Sequence, residues 1–310
     1  MIGPKNLLIL GWLNHVNGYI PENFILKKAI VMKAVNKLSI LLVGSLMLLA
    51  AFSPAFAFTS PLMAPGMVVV RSSDSSWSST NWCGYAVTGS QGSVTKVQGS
   101  WVVPSVTGSS TAYSSFWVGI DGFNSGTVEQ IGTDSDISGG KPVYYAWFEF
   151  YPSPMSTITT LAIKPGDTIS ASVTYSGSSG SSGRGSFGRA SSIFTVTISD
   201  GRTGKSFTTT GTVSNAAMSS AEWIAEAPSS YRGVLPLASF GTVNFGMDTT
   251  AVAGTCYATI SGVNGKISSF GSAVQTITMV TNRGTATKAS PSSLSTDGTS
   301  FSVTWKSAGP

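Results

Sequence analysis

The stretch "VYYAWFEFYP" at residues 143–152 decides the fold class, because its side chains alternate between two kinds of environment. Successive side chains of an extended strand point to opposite faces of a sheet. One face would carry only groups suited to a core: Tyr144, Ala146, Phe148 and Phe150. The other mixes large rings with one carboxyl group: Tyr145, Trp147, Glu149 and Tyr151. The pattern predicts a strand between a core and a binding cleft, and a half-exposed sheet face is the simpler alternative.

Runs of the same kind recur from residue 77 to the C-terminus, and no helical period competes with them. They are rich in Val, Ile, Thr and aromatic residues, and Gly, Ser, Asn and Asp separate them, which is typical of antiparallel strands and turns. The Asp200-Gly201 pair predicts a hairpin, and the Gly/Ser run at residues 176–188 predicts a flexible hairpin loop. Many short strands without a fixed repeat predict one all-β sandwich or barrel over residues 77–310.

The N-terminal region has the pattern of an export signal. The stretch "MKAVNKLSILLVGSLMLLAAFSPAFA" at residues 32–57 has a basic start, an apolar run and a final Ala-Phe-Ala. This predicts a secretory signal peptide within residues 1–57, with residues 1–31 as an extension, followed by a leader or short propeptide at residues 58–76. We therefore expect a secreted, extracellular protein with no membrane attachment once the signal is removed.

The charge distribution excludes several classes of function. The chain carries 18 Lys and Arg against 13 Asp and Glu, but residues 1–57 hold five of those bases and one acid, so the rest has a net charge of only +1. A nucleic-acid-binding surface is not expected there. The single histidine, His15, lies in the export segment, which excludes a Ser-His-Asp triad, a Cys-His dyad and a His-ligated zinc site from the exported part. We expect no metal and no cofactor, so hydrolysis would have to use carboxyl, amide, hydroxyl or amino groups.

The exported part contains two cysteines, Cys83 and Cys256. Two cysteines in an exported protein most simply form one disulfide bond, and a pair of free thiols is the alternative.

Two further stretches place polar groups on strand faces. In "SSAEWIAEAP" at residues 219–228, Glu222 and Glu226 share one face, although only 10% of the chain is charged and Glu is costly to bury unpaired. In "VEQIGTDSD" at residues 128–136, Gln130 lies between small or apolar residues on its face, so its amide would be approachable. A lone Gln in a strand is usually structural, so neither stretch decides the chemistry by itself.

Seven motifs in order resemble the eqolisin family of glutamic peptidases, which are acid endopeptidases. The motifs, which cover about residues 77–250, are "TNWCGYAV", "GSWVVPSV", "FWVGIDGF", "VEQIGTDSD", "YYAWFEFYP", "SAEWIAEAP" and "SFGTVNF". The resemblance implies a concanavalin-like β-sandwich of two curved antiparallel sheets. It implies Gln130 and Glu222 as the catalytic pair. The substrate-binding positions it implies, with Glu226 added as a supporting group, are Trp117, Asp121, Asp134, Trp147, Glu149 and Glu226.

These residue types suit amide hydrolysis without histidine. Glu222 would take a proton from water and return it to the leaving nitrogen, while the Gln130 side-chain amide would donate a hydrogen bond to the oxyanion. The resemblance implies protein or peptide substrates, and we expect a monomer. One position departs from the best-known member of the family: Tyr145 stands where that member has an Asp, which changes a polar contact in the cleft.

Two other functions fit the same fold class. A glycoside hydrolase on a lectin-like sandwich would use Glu149 and Glu222 as its two carboxyl groups and Trp147 as a stacking platform. A non-catalytic carbohydrate-binding module would need only the aromatic face. Both alternatives make Gln130 incidental, and the ordered motif set favours the peptidase.

Overall fold

A computed structural model describes residues 66–73, 75–180 and 191–309. The predicted signal peptide, residues 58–65 of the predicted leader and most of the Gly/Ser loop lie outside the described residues. The strands of the first half are β1 (Val69–Ser73), β2 (Ser76–Ser79), β3 (Trp82–Thr88), β4 (Val94–Val102), β5 (Ser115–Ile120), β6 (Val128–Ser138), β7 (Lys141–Tyr151), β8 (Ser156–Ile158), β9 (Thr168–Ser179) and β10 (Ser191–Asp200).

The second half continues in the same way. Its strands are β11 (Lys205–Ser214), β12 (Ser220–Glu226), β13 (Ser229–Ser230), β14 (Gly233–Val234), β15 (Thr242–Phe245), β16 (Tyr257–Ile260), β17 (Val263–Lys266), β18 (Val274–Val280), β19 (Thr287–Pro291) and β20 (Phe301–Trp305). Helical structure in the described ranges is limited to α1 (Met247–Thr250) and a 3₁₀ segment (Ile267–Ala273).

The strands form two layers that share an edge connection. In one layer β8, β7, β6, β5, β12, β3 and β18 follow one another as antiparallel neighbours. In the other, β11, β10, β9 and β4 do the same, and β4 continues to β15 and β16. Strand β19 pairs with both β18 and β20 and so joins the layers. The prediction of an all-β sandwich is confirmed.

The alternation seen in the sequence sorts the side chains of β12 between two hydrophobic clusters. Trp223 and its neighbours Ala221 and Ala225 lie in the large core between the layers. Ile224 lies on the opposite face, in a smaller cluster with the rings of Trp117 and other aromatic residues. The smaller cluster lies on the face that carries the predicted catalytic residues, and the large core packs against the opposite face of the same strand.

The predicted disulfide between Cys83 and Cys256 is wrong for this structure, because both cysteines are free thiols in the core. Each thiol is hydrogen-bonded to the backbone of a different strand: Cys83 to Met279 in β18, and Cys256 to Ser100 in β4. Burial raises the pKa of both thiols, that of Cys256 to about 12. Two cysteines packed separately as small apolar groups need no covalent link.

No helix within the described residues is long and apolar enough to cross a membrane.

Candidate active site

The strand register brings the predicted catalytic residues to one face of the first layer. Glu222 of β12 is opposite Gly119 of β5, Gly119 is opposite Gln130 of β6, and Gln130 is opposite Glu149 of β7. Residues directly opposite in antiparallel strands project to the same side of the sheet. Residues about 90 positions apart in the sequence therefore meet on one surface, which we call the cleft face.

The side chain of Gln130 is held by Glu149. Its Nε2 atom donates a hydrogen bond of 2.7 Å to Oε2 of Glu149, and both residues are buried. A primary amide has two N–H groups, so one remains for a further acceptor. Gln130 Oε1 has no partner among the described residues. Glu149 thus fixes the amide while leaving it able to donate to another group.

Glu226 is held by two donors on the same face. The indole nitrogen of Trp117 donates to Oε2 of Glu226 at 2.8 Å, and the amide nitrogen of Asn81 donates to Oε1 at 3.4 Å. Burial raises the pKa of Glu226 from 4.5 to about 8, the Trp117 hydrogen bond opposes this rise, and the nearby charge of Glu149 adds to it. Glu226 is therefore oriented and lies within electrostatic range of the group that holds Gln130.

Glu222 has different surroundings. It is fully buried, and neither carboxyl oxygen has a hydrogen-bond partner in the part of the chain that the structure describes. Burial raises its pKa well above the usual range, the neighbouring Ser220 hydroxyl opposes this rise, and the charges of Asp121 and Glu129 add to it. The Trp117 ring covers Gly119, between Glu222 and Gln130: a methyl group added there would lie 2.8 Å from Cζ3 of the ring. The two glutamates of one motif are thus distinguishable, because Glu226 accepts hydrogen bonds from Trp117 and Asn81.

Asp134, a predicted substrate-binding residue, belongs to a hydrogen-bonded group of three. The hydroxyl of Tyr145 lies 2.8 Å from Oδ2 of Asp134 and 3.0 Å from Oδ2 of Asp136. A phenol has one hydrogen to donate, so the second contact requires one carboxyl to be protonated and to donate to the phenol oxygen. Burial raises the pKa of Asp134 to about 6, and burial with the charge of Asp134 raises that of Asp136. The hydrogen bonds from Tyr145 oppose both rises, so the burial of two neighbouring acids is what makes this corner of the cleft face favour acid conditions.

Asp121 has a structural position. Its carboxylate accepts hydrogen bonds from the backbone N–H groups of Met218 and Ser219 at 2.7 and 2.9 Å, and the hydroxyl groups of Thr127 and Ser219 donate to it more weakly. These contacts fasten the end of β5 to the chain that enters β12. Asp121 therefore supports the strand that carries Glu222 and Glu226 through both backbone and hydroxyl donors.

Aromatic side chains build the middle of the cleft face. Trp82 and Trp117 meet edge to face with centroids 4.9 Å apart, and Trp147 belongs to the same cluster. Met67, upstream of the predicted domain start, also packs in it. The sequence analysis missed the roles of Asn81 and Met67. The position of Asn81 inside the motif "TNWCGYAV" was the only signal for it, and nothing in the sequence pattern distinguished Met67.

The cleft face offers no metal site. Among the described residues, no group of three or more His, Cys, Asp or Glu side chains is arranged to hold a metal ion. Glu149, Glu226 and Asp134 instead contact amide, indole and phenol donors, as described above.

The buried acids make stability depend on pH. A carboxyl group whose pKa is raised by folding contributes stability that is fully present below its unfolded pKa and is lost as pH rises through the folded pKa. For Glu226 this window runs from 4.5 to about 8, and for Asp134 from 3.8 to about 6. We expect the melting temperature to be highest in acid and to fall by roughly 10 °C or more between about pH 4 and pH 8.

Calorimetry at constant ionic strength measures this fall, and Glu226→Gln should reduce it because the substitution removes one of the titrating groups. Lys288 acts in the opposite sense outside that range: burial lowers its pKa to about 8 from 10.5, so it adds stability only as pH rises above about 8. A melting temperature that is level or rises from pH 4 to pH 8 would contradict the prediction.

Comparison with known proteins adds a family assignment. A model of the Peptidase A4 family matches residues 80–300. The chain is 32% identical to aspergillopepsin-2 from Aspergillus niger over 191 residues, which cover 54% of this chain and 62% of that protein. It is 37% identical to scytalidopepsin B from Scytalidium lignicola over 96 residues, which cover 31% of this chain and 35% of that protein. The chain therefore spans less than two thirds of the length of either curated relative.

A solved structure supports the fold. The crystal structure of scytalido-glutamic peptidase with a transition state analog inhibitor matches with a TM-score of 0.56 and 24% identity, over 73% of this chain and 98% of that chain. At this identity the likeness concerns the architecture, and it agrees with the β-sandwich described above.

Proposed function

This chain belongs to the Peptidase A4 family, and from that premise we propose that it is a secreted glutamic-type endopeptidase that hydrolyses peptide bonds in acid. The observation that carries the proposal is the arrangement of Gln130 and Glu226 on one face. Glu149 orients the amide of Gln130, and Trp117 orients the carboxyl group of Glu226. Secretion rests on the signal-peptide pattern of residues 1–57, and a monomer remains our expectation.

In the proposed reaction Glu226 moves the proton. Its carboxylate removes a proton from a water molecule, the water oxygen attacks the peptide carbonyl carbon, and Glu226 then gives the proton to the leaving nitrogen. Burial is the main reason that the pKa of Glu226 is high in the closed site. Entry of water and substrate reduces that burial, so the carboxylate becomes available at lower pH. The charge of Glu149 also raises the pKa of Glu226, so the protonation of one group affects that of the other.

Gln130 supplies the hydrogen bond that stabilises the oxyanion. One N–H of its amide is taken by Glu149, which leaves the other to donate to the substrate oxygen. An amide does not titrate in the acid range, so this donor is present at every pH at which the enzyme works. The sequence analysis gave the proton-transfer role to Glu222. We assign it to Glu226 because Glu226 has orienting donors, whereas the Trp117 ring lies between Glu222 and Gln130.

Cleavage of a denatured protein tests the proposal most directly. Purified secreted protein should cleave it at roughly pH 3–4. It should lose most of its activity near neutral pH, because the buried acids Asp134 and Asp136 ionise as pH rises and the folded enzyme loses stability. The same preparation should leave polysaccharides intact. Release of sugars without proteolysis would instead support the glycoside hydrolase alternative, in which Glu149 and Glu222 form the catalytic pair.

A further inference from the structure

The residues just upstream of the predicted domain are held on the cleft face as an extended peptide would be. Oδ1 of Asn81 accepts a hydrogen bond of 2.8 Å from the backbone N–H of Val68, and Nδ2 of Asn81 donates at 3.3 Å to the backbone oxygen of Gly66. The Asn81 carboxamide thus holds the main chain at both Gly66 and Val68. Side-chain identity plays no part in these contacts, which is the way a protein binds peptides of varied sequence.

Two backbone hydrogen bonds also hold this segment. The N–H of Met67 donates to the carbonyl oxygen of Gly122 at 2.9 Å, and the N–H of Thr80 donates to the oxygen of Val68 at 3.0 Å. The segment passes close to Gly122, since a methyl group added to Gly66 would lie 2.5 Å from the Gly122 oxygen. The main chain is therefore bound from both sides.

The side chain of Met67 enters the aromatic cluster. It is 9% exposed, although its neighbours Val68 and Val69 are 39% and 46% exposed. The rings of the cluster come from Trp82, Trp117, Phe123 and Trp147. Trp117 also donates to the carboxyl group of Glu226, and Asn81 donates to it from the other side. The cluster that Met67 joins and the Asn81 side chain that holds its neighbours' backbone thus both contact the proposed proton-transferring residue.

We propose that residues 66–68 occupy a substrate subsite: Asn81 and Gly122 bind the main chain of a peptide substrate, and the aromatic cluster of Trp82, Trp117, Phe123 and Trp147 takes a flexible apolar side chain such as Met or Leu. This inference rests on the proposed peptidase function, and it adds the class of side chain that the substrate presents. In the full chain, residues 66–68 compete with substrate for the subsite. Being tethered, they do so at an effective concentration on the order of millimolar.

Binding of a peptide in trans tests the subsite without relying on catalysis. The probe is a capped peptide with the sequence of residues 65–72, and binding is followed by tryptophan fluorescence and calorimetry. The full-length Met67→Ala protein should bind it at least about 10-fold more tightly than the wild type, because its own segment competes less well. The same peptide carrying Met67→Asp should bind at least about 10-fold more weakly, because a carboxylate is costly to bury among rings. Met247→Ala, at a 40% exposed methionine elsewhere, is the matched control and should behave as the wild type does.

Cleavage sites provide the second measurement. Fragments of a denatured protein should show Met or Leu enriched at one fixed position relative to the cleaved bond, and Met67→Ala should lower the apparent KM with little change in kcat. Equal affinity of the wild type and Met67→Ala for the probe, or equal binding of the Met and Asp peptides, would overturn the inference. Peptide binding without any proteolysis would leave the subsite standing and refute only the peptidase function.

Discussion

Glu226→Gln should abolish proteolysis, lowering kcat by at least about 10³-fold, because an amide cannot carry the proton from water to the leaving nitrogen. The substitution keeps the size of the side chain and an oxygen that can accept the hydrogen bond from Trp117, so the fold should persist. Initial rates on a denatured protein in acid, together with the melting temperature, separate loss of chemistry from loss of structure.

Glu222→Gln is the matched control, since Glu222 lies on the same strand and the same face. Its carboxyl oxygens have no hydrogen-bond partner among the described residues, and burial holds its pKa high, so the neutral amide resembles the protonated acid it replaces. We expect activity within about 10-fold of the wild type, because a group outside proton transfer does not supply the roughly 10²–10⁴-fold acceleration of general acid–base catalysis. Full activity in Glu226→Gln with none in Glu222→Gln would restore the assignment made from the sequence.

The proposed exchange of roles between these glutamates rests on contacts that the sequence pattern could not supply. Alternation places Glu222 and Glu226 on the same face with equal justification. Which of the two accepts orienting hydrogen bonds depends on Trp117 and Asn81. These residues lie 109 and 145 positions away from Glu226 in the chain. Strand periodicity carries no information about such long-range contacts, so the choice within the motif needed coordinates.

The fold was more accessible to prediction because it depends on local patterns. Alternation in β7 and β12 and the Asp200-Gly201 turn between β10 and β11 predicted antiparallel strands that the structure contains. The disulfide was predicted from the cellular compartment and a count of two, and the count carries no information on distance. Cys83 and Cys256 instead pack separately among apolar neighbours. Gln130 and Glu149 lie opposite each other on β6 and β7, a contact that neither motif predicted by itself.

Gln130→Ala should lower kcat by about 10²–10³-fold while leaving KM little changed, because the side chain contributes a hydrogen bond that becomes strong only when charge develops on the substrate oxygen. The amide is fully buried and donates to Glu149, so its removal also leaves Glu149 without that donor. The double variant Gln130→Ala with Glu149→Gln addresses this, since it also replaces the carboxyl group that Gln130 no longer contacts with a neutral amide. If the loss of rate reflects the oxyanion bond, the double variant should recover stability without recovering kcat.

Gln130→Glu distinguishes a donor from a group that merely fills space. The substituted carboxyl group would face Glu149 across neighbouring strands, at the 2.7 Å contact that the amide now makes. Two carboxyl groups so close share one proton and titrate as a pair. In acid the shared proton is held between them, and the group next to the substrate has no N–H to offer. We therefore expect Gln130→Glu to be as slow as Gln130→Ala and to lose still more activity as pH rises, since the second ionisation adds negative charge beside the oxyanion. A Gln130→Glu variant that kept wild-type kcat, or gained activity toward a polysaccharide, would show that position 130 acts as an acid and would contradict the amide mechanism.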